Sequence, residues 1–366
     1  MPGSNLSRRQ FVVASGATAA ALGLAGCSNN GAANGDGGGG GDGGGGGDGG
    51  GGGDVPQQLT AGGSSTVYPI TNKAKKYWNG NPAAGSDYWK PSSYDINTDK
   101  RLANYWVSQY GMDGSGGANS PLYSVSVGLS HSDVGLKKVM HGQVDIGDAS
   151  APVEAELSDL SQSKYDDFKN HVVGIDAMQI IVSKDVADAG VSQLTLAEVA
   201  SIYKGETTKW SQIDGYSGPD KQIQVVGRVQ GSGTRTIFHE NVLDGGDAPG
   251  VDTHQGENQQ VKSAVASANN AIGYVGIAFT DSEQAPPVPL VVDGTTYSKD
   301  AGNLGEKSYP LNRDLHCYTW QGTSKAEAAF IGMLISDYGQ STFVAPNGYI
   351  KLPNERQQTQ LDKLQQ

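Results

Sequence analysis

The chain has 366 residues, and its 38 acidic and 26 basic side chains give a formal net charge of −12. This balance argues against nucleic acid as a partner, because an acidic protein repels a polyanion. The length is enough for two domains of ordinary size once an N-terminal signal is set aside.

The first 27 residues predict an export signal. Residues 7–11 (S-R-R-Q-F) form a twin-arginine pattern, an apolar run follows over 12–24, and the segment ends in L-A-G-C at Cys27. The run is short for a membrane span, and its ending is similar to a lipobox, in which the cysteine is lipidated. We therefore predict lipidation at Cys27 and anchoring to the outer face of the cytoplasmic membrane; an ordinary apolar helix is the alternative.

Residues 28–56 are mostly Gly with spaced Asp and are predicted to form a flexible tether, because they contain almost no side chain able to build a core. The second cysteine, Cys317, has no partner if Cys27 carries lipid. It lies in the apolar stretch 315–320, which predicts a buried thiol in a strand.

The body begins near Gln57 and alternates strands with helices. In chain order the predicted elements are strand 59–63, helix 67–78, helix 101–109, strand 122–127, helix 134–141, strand 144–147, strand 172–182, a helix capped by Thr195, strand 221–227, a helix after Thr234, helix 257–268, strand 271–276 and helix 325–337. This alternation predicts an α/β fold with mainly parallel sheets. The apolar segment 172–182 is predicted to be a central strand, and the weakly periodic residues 79–121 to be mostly a surface insertion.

Three loops share one design, because each follows a strand, is rich in Gly and hydroxyl side chains, and precedes a helix. They are 63–66 (G-S-S-T), 130–133 (S-H-S-D) and 231–234 (G-S-G-T). Free N–H groups at helix starts bind anions, and glycine lets the backbone approach closely. Together the loops predict a site for a small tetrahedral oxyanion, with Arg228 as a forked, charged donor.

Other chemistries lack their patterns. Ser232 is not in the Gly-x-Ser-x-Gly spacing of a nucleophile elbow, a Gly-x-x-x-x-Gly-Lys-Ser/Thr loop is absent, and the six histidines form no His-Glu-x-x-His or His-x-His pair. We predict no catalytic residue, no metal and no cofactor, with His131 near the site without acting as a ligand and His239 at the surface. A secreted phosphatase using Ser232 as nucleophile is the enzymatic alternative, although no metal cluster or base pattern accompanies it.

Six segments in chain order carry a family resemblance. They are 63–70 (G-S-S-T-V-Y-P-I), 144–152 (V-D-I-G-D-A-S-A-P), 194–210 (with I-Y-K-G-E and K-W), 228–236 (R-V-Q-G-S-G-T-R-T), 271–275 (A-I-G-Y-V) and 309–311 (Y-P-L). Through these segments the body, from about 60 to 350, resembles the PstS family, the phosphate-binding proteins of phosphate ABC importers. The acidic, lysine-poor composition also resembles proteins of salt-adapted archaea, so we expect the fold to need salt.

The resemblance implies a bilobal periplasmic-binding-protein fold, type II-like, with the ligand in a cleft between the lobes. Lobe 1 would take 57–173 plus 279–366, and lobe 2 would take 174–278. The ligand-binding residues implied by the motifs are Ser64, Ser65, Thr66, Ser130 or Ser132, and Ser150 from lobe 1, and Arg228, Ser232, Gly233 and Thr234 from lobe 2. The implied partners are inorganic phosphate and the transmembrane subunits of an ABC permease, with the protein acting as a monomer and catalysing no reaction.

Two departures from the family pattern leave the choice of oxyanion open. Ser150 stands where some members have an aspartate that accepts the proton of phosphate, a group that disfavours sulfate. Asp148 or Asp145 could take that role, although Asp145 could equally be a structural turn residue. Gln230 stands where the family often has an acid that pairs with the arginine. Phosphate is the main prediction, and tungstate, molybdate and sulfate are the alternatives.

Overall fold

A computed structural model describes residues 56–113, 117 and 119–365. The predicted signal, Cys27 and the tether up to residue 55 lie outside the described residues.

The elements of the described residues are numbered in chain order. The helices are α1 Tyr68–Gly80, α2 Leu102–Gln109, α3 Ser132–Met140, α4 Val153–Glu156, α5 Gln162–Asp167, α6 Lys184–Asp188, α7 Leu196–Tyr203, α8 Gly233–Val242, α9 Asn258–Ser267, α10 Lys325–Ile335, α11 Asp337–Gly339 and α12 Asn354–Lys363. The strands are β1 Gln58–Ser64, β2 Ser124–Ser130, β3 Ile146–Ala149, β4 Phe168–Ala177, β5 Gln179–Val182, β6 Leu194–Thr195, β7 Gln224–Arg228, β8 Thr253–Gln255, β9 Ala271–Val275, β10 Pro287–Val288, β11 Leu290–Val292, β12 Thr295–Tyr297 and β13 Asn312–Trp320.

The first five-stranded sheet has the order β2-β1-β3-β13-β4. β1 runs parallel to β2 and β3, and its register sets Ser64 beside Ser130 and Gly63 beside Asp148. β13 runs antiparallel to β3 and β4. Because β1, β2 and β3 are parallel, the loops that leave their carboxyl ends emerge at one edge of this sheet.

The second five-stranded sheet has the order β10-β5-β9-β7-β8, and β12-β11-β6 forms a small third sheet. β7 is parallel to β8 and β9, whereas β5 is antiparallel to β9 and β10. The α/β prediction is confirmed, but both large sheets are mixed rather than mainly parallel. Among the described residues, every antiparallel strand pair of the two large sheets includes β5 or β13, which are the first strands after a change of sheet.

The predicted single strand 172–182 is wrong. The chain forms β4 up to Ala177, leaves the first sheet at Met178 and starts β5 of the second sheet at Gln179. β4 is an edge strand of the first sheet. The end of β4 and all of β5 are buried, so the apolar run continues through the break. Composition alone therefore could not mark the change of sheet.

The two large sheets are joined by connections that lie side by side. The N–H of Met178 donates to the carbonyl of Leu311 at 2.9 Å, and the Tyr309 hydroxyl donates to the carbonyl of Met178. β10 pairs with β5, so the return to the first sheet falls near Leu311 rather than at the predicted 278/279. The first departure falls at Met178 rather than at 173/174, because β4 keeps its pairing with β13 as far as Ala177.

The described residues of 79–121 are mostly exposed or half-buried, in agreement with the predicted surface location, but part of the segment packs into the core. In the described part of this segment, Trp89, Leu102 and Val107 are fully buried, and α2 packs against α10. The Trp89 ring meets Tyr338 edge-on, with centroids 4.9 Å apart. The apolar residues before α2 are irregularly spaced, so they produce no periodic signal although they complete the core.

Other local predictions are confirmed. Thr195 caps α7: its hydroxyl accepts from the N–H of Glu198 at 3.1 Å, and the Glu198 carboxylate accepts from the N–H of Thr195 at 2.7 Å. Cys317 is a buried free thiol in β13. In the ranges 56–113 and 119–365, no helix has the length and apolar character needed to cross a membrane.

Candidate anion-binding site

Three hydroxyls lie at the end of β1 and in the loop that leads to α1. Ser64, Ser65 and Thr66 are all buried. The Ser64 hydroxyl accepts from the N–H of Thr66 at 3.1 Å and donates to the Ser150 hydroxyl at 2.9 Å. Gly63 allows this turn because its φ is +144° and a Cβ there would lie 2.1 Å from the carbonyl oxygen of Asp148.

The loop after β2 and the loop after β3 meet the first one. Ser132 begins α3, and its hydroxyl accepts from the N–H of Ser150 at 3.1 Å and lies 3.4 Å from the Ser150 hydroxyl. Ser132 and Ser150 are about 1% exposed, whereas Ser130, the other predicted alternative, is only half-buried at the end of β2. The structure therefore brings Ser132 into this group and leaves Ser130 at its margin.

The second sheet contributes the start of α8. The Thr234 hydroxyl lies 3.2 Å from the Thr66 hydroxyl, so the two sheets touch through predicted ligand residues. A Cβ on Gly233 would lie 2.7 Å from both the Ser132 and the Ser150 hydroxyl oxygens, so only glycine fits at this approach. We call Ser64, Ser65, Thr66, Ser132, Ser150 and Thr234 the hydroxyl cluster. Ser232 is buried beside it at the N-cap of α8, and its hydroxyl does not cap the helix.

Arg228 ends β7 and is 2% exposed. Its guanidinium donates to the carbonyls of Gln255 and Gly256, to the side-chain oxygen of Asn258 at 3.1 Å, and to the Ser65 hydroxyl at 3.3 Å. All these acceptors are neutral. Burial lowers the Arg228 pKa to about 10, and the nearby Arg313 acts in the same direction. Arg228 thus stays charged at neutral pH and forms no ion pair within the described residues.

Two residues that the sequence analysis did not single out belong to the site. Asn258, fully buried at the start of α9, donates to the hydroxyls of Ser65 at 3.1 Å and Thr66 at 3.0 Å. Arg313, in β13, donates to the hydroxyls of Thr66 at 3.1 Å and Thr234 at 3.0 Å. The sequence signal that could have identified Arg313 is its position directly after the Y-P-L-N stretch. For Asn258 the only such signal is its position at the start of a predicted helix.

Asp148, a predicted ligand, lies behind the cluster. Its carboxylate accepts from the Thr71 hydroxyl of α1 at 2.9 Å and from the Cys317 thiol at 3.4 Å. Burial raises its pKa from 3.8 to about 7. Asp145 accepts from the N–H and hydroxyl of Thr60, as a structural residue would. Neither contact brings a carboxylate into the hydroxyl cluster.

The two histidines singled out in the sequence are not members of the hydroxyl cluster, and the buried Nδ1 of His131 has no hydrogen-bond partner within the described residues. His131 precedes α3 at its N-cap, with its ring close to Gly256. His239, in α8, contacts the carbonyl of Gly246 at 2.9 Å.

The starts of α1, α3, α8 and α9 converge on one buried group of donors, so the dipoles of four helices and two arginines favour negative charge there. Hydroxyls, an amide and guanidinium groups can surround a small oxyanion on several sides. The fold and site together define a two-sheet protein whose buried polar site, formed where the sheets meet, suits a small anion.

The chain belongs to the PBP superfamily, whose domain model matches residues 111–338. The phosphate-binding protein PstS of Staphylococcus epidermidis is 27% identical over 246 residues, covering 66% of this chain and 74% of the relative. That of Bacillus subtilis is 27% identical over 231 residues, covering 63% and 72%.

Solved structures share the fold. A phosphate ABC transporter substrate-binding protein with bound phosphate from Clostridium perfringens is 24% identical, with a TM-score of 0.58, covering 81% of this chain and all of that one. An ABC-type phosphate transport receptor from Vibrio cholerae is 22% identical, with a TM-score of 0.52 and coverage of 81% and 100%.

Proposed function

We propose that this protein captures inorganic phosphate outside the cytoplasm and delivers it to an ABC importer, without catalysing a reaction. The observation that carries the proposal is the hydroxyl cluster, buried beside Arg228 and built from loops of both sheets. The names of the relatives, which are phosphate-binding proteins, support the same ligand.

The donors match a small tetrahedral oxyanion. Ser65, Thr66 and Thr234 each already contact an arginine, so an anion among them would exchange its water shell for hydroxyls and charged N–H groups. Ser232 and the α8 backbone would add donors from the second sheet. In this proposal the ligand residues are the hydroxyl cluster with Arg228, Ser232, Gly233, Asn258 and Arg313; Ser130 and Asp148 are left out.

Sulfate, tungstate and molybdate are the competing ligands. A carboxylate in the cluster would favour the protonated oxygen of phosphate over sulfate, but Asp148 is occupied by Thr71 and Cys317. The Ser150 hydroxyl can instead accept a hydrogen bond from the P–OH group, and it can also donate one. We therefore expect phosphate to be preferred over sulfate by a smaller factor than a carboxylate would give.

A phosphatase is disfavoured by the residues around Ser232. The cluster brings together hydroxyls, an amide and arginines, none of which is a base at neutral pH. Among residues 56–113 and 119–365, no group of three or more His, Cys, Asp or Glu is placed to hold a metal ion.

The remaining parts of the proposal concern the whole chain. Each of the two large sheets would form the centre of one lobe. The lobes would hinge near Met178 and Leu311, and the oxyanion would bind between the lobes. Cys27 would carry the lipid that anchors the tether at the membrane, and the monomer would deliver phosphate to the permease subunits.

The test is calorimetry on the full-length chain in detergent and molar KCl, injecting phosphate, sulfate and tungstate. We expect one-to-one phosphate binding, and a loss of at least about a hundredfold in Arg228→Met, which removes several charged hydrogen bonds. Arg235→Gln, seven residues along on α8, is the matched control and should bind normally. If only tungstate or only sulfate gives binding heat, that anion and not phosphate is the ligand. Folded protein that gives no heat with any anion would refute the proposal.

A further inference from the structure

Arg313 reaches the hydroxyl cluster from the first sheet, opposite Arg228. It is 5% exposed, and one nitrogen, Nη2, donates to Thr66 from the first sheet's loop and to Thr234 from the second's. Its other terminal nitrogen, Nη1, is buried and donates no hydrogen bond within the described residues. A buried N–H without an acceptor is rare, because it loses its hydration without replacement.

A single carboxylate orients this guanidinium. Asp176, near the end of β4 and fully buried, accepts from Nε of Arg313 at 3.0 Å and from Nη2 at 2.7 Å, both through Oδ2. Its other oxygen, Oδ1, accepts from the N–H of Ile277 at 2.8 Å. The two bonds to Oδ2 turn Nη1 away from the carboxylate.

The position of Asp176 ties this arrangement to the place where the sheets join. It lies two residues before Met178, where the chain leaves the first sheet, and Ile277 directly follows Gly276 after β9 of the second sheet. The Gly276 N–H donates to Asn258, which also accepts from Arg228. Hydrogen bonds therefore link Arg228, Asn258, the Gly276–Ile277 backbone, Asp176 and Arg313 in one chain.

We propose that Arg313 is a second anion-binding arginine, so that the oxyanion is held by one guanidinium from each sheet, and that Asp176 positions it. The proposal rests on the proposed function. Nη1 is the donor that it assigns to the anion. Asp176 acts through Arg313 and through its bond to the Ile277 backbone, so the arginine is correctly placed only when the two sheets are in their observed arrangement.

An anion-binding role for Arg313 predicts a particular pH dependence of phosphate affinity, which a role in packing alone would not produce. The charged and titratable groups around Arg313 are Asp176 from β4, Arg228 from β7, Glu156 from α4 and His316 from β13, with the Tyr274 and Tyr349 hydroxyls nearby. Removing Arg313 deletes a cation and leaves Asp176 without its ion-pair partner. The affinity for a dianion should therefore fall more than the affinity for a monoanion. Inorganic phosphate changes from mainly monoanion to mainly dianion between about pH 6 and pH 8.

The experiment measures the phosphate dissociation constant of the full-length chain by calorimetry at pH 6 and pH 8. Arg313→Gln should weaken binding at least about tenfold at pH 6, as loss of a charged hydrogen bond predicts, and clearly more at pH 8. Arg313→Lys should show the same ratio of phosphate affinities at pH 6 and pH 8 as wild type, because it keeps the positive charge. Its affinity should recover only in part, because lysine lacks the paired N–H donors of a guanidinium. Asp176→Asn should weaken binding at both pH values without the steeper loss at pH 8.

Arg356→Gln is the matched control, because Arg356 pairs with Asp314, the next residue of β13, in a half-exposed ion pair. It should bind phosphate normally at both pH values. If Arg313→Gln does not fold, the double variant Asp176→Asn/Arg313→Gln, which buries no unpaired charge, is measured against Asp176→Asn.

The outcomes separate the two proposals. Wild-type protein that does not bind phosphate refutes the proposed function. Wild-type protein that binds, together with Arg313→Gln affinity that is unchanged or equally reduced at both pH values, overturns the role of Arg313 alone.

Discussion

At the residue scale, Asp148 shows how a plausible ligand becomes a structural group. Its position in β3 is two residues before Ser150, inside the motif that supplies the site, and nothing in the linear pattern separates the two roles. The fold turns its carboxylate toward Thr71 and Cys317, where burial raises its pKa from 3.8 to about 7. A carboxyl group in such surroundings is favoured in its neutral form.

Asp148→Asn is expected to flatten the pH dependence of stability. The folded state binds the Asp148 proton more tightly than the unfolded chain does, so this stabilisation is complete below about pH 4 and is lost as the pH rises to about 7. One unit of pKa difference corresponds to about 1.4 kcal/mol, so the variant should gain stability relative to wild type between pH 5 and pH 8. Denaturant unfolding across that range measures it.

Asp159→Asn, at an exposed loop position, removes the same charge and should leave the pH profile as in wild type. Phosphate affinity of Asp148→Asn should stay within about threefold of wild type, a change of less than 1 kcal/mol. A tenfold or larger loss of phosphate affinity in Asp148→Asn would indicate that the Asp148 carboxylate does accept a hydrogen bond from phosphate.

At the element scale, the site depends on how closely one helix start approaches the loops of the other sheet. α8 begins at Gly233, which faces the hydroxyls of Ser132 and Ser150. The parallel register of β1 with β2 and β3 places those loops together, and β7 brings α8 to them. Each helix start is ordinary by itself; their convergence makes the donor cluster.

Gly233→Ala is expected to weaken phosphate binding about ten- to a hundredfold, with little change in stability. Its Cβ would lie 2.7 Å from two hydroxyl oxygens, closer than such contacts allow, so α8 would have to withdraw from the cluster. Calorimetry with a parallel thermal unfolding measurement tests this. Gly80→Ala, where nothing lies within 4 Å of the new methyl group, is the control. Wild-type affinity in Gly233→Ala would mean that the close approach is not needed.

At the scale of the whole molecule, two features extend beyond the site. The connections at Met178 and Leu311 run side by side where the chain passes between the two large sheets. The chain also carries a net charge of −12, which repels itself at low ionic strength.

The thermal unfolding midpoint should therefore rise as KCl increases from 0.1 M to 1 M, because the Debye length falls from about 10 Å to about 3 Å over this range. Differential scanning calorimetry measures the change. Sucrose at matched osmolality is the control, since it does not screen charge. A midpoint that is flat or falls with KCl would show that self-repulsion does not limit the stability of this fold.

The sequence by itself determined the features that depend on neighbouring residues. It predicted the alternation of strands and helices, the cap at Thr195, the buried Cys317 and the three loops with Arg228, because caps, turns and amphipathic periods are set within a few residues. Every member of the hydroxyl cluster was a predicted ligand residue, whereas the predicted Ser130 lies at its margin.

The tertiary structure alone decided where the chain changes sheets, which buried acid faces the site and which distant residues complete it. The break at Met178 lies inside a continuous apolar run, and the buried Trp89 lies in a stretch without a periodic pattern. Arg313 and Asn258 reach Thr66 across 247 and 192 residues of sequence. Such contacts depend on sheet order and on the packing of both sheets, which no local pattern encodes.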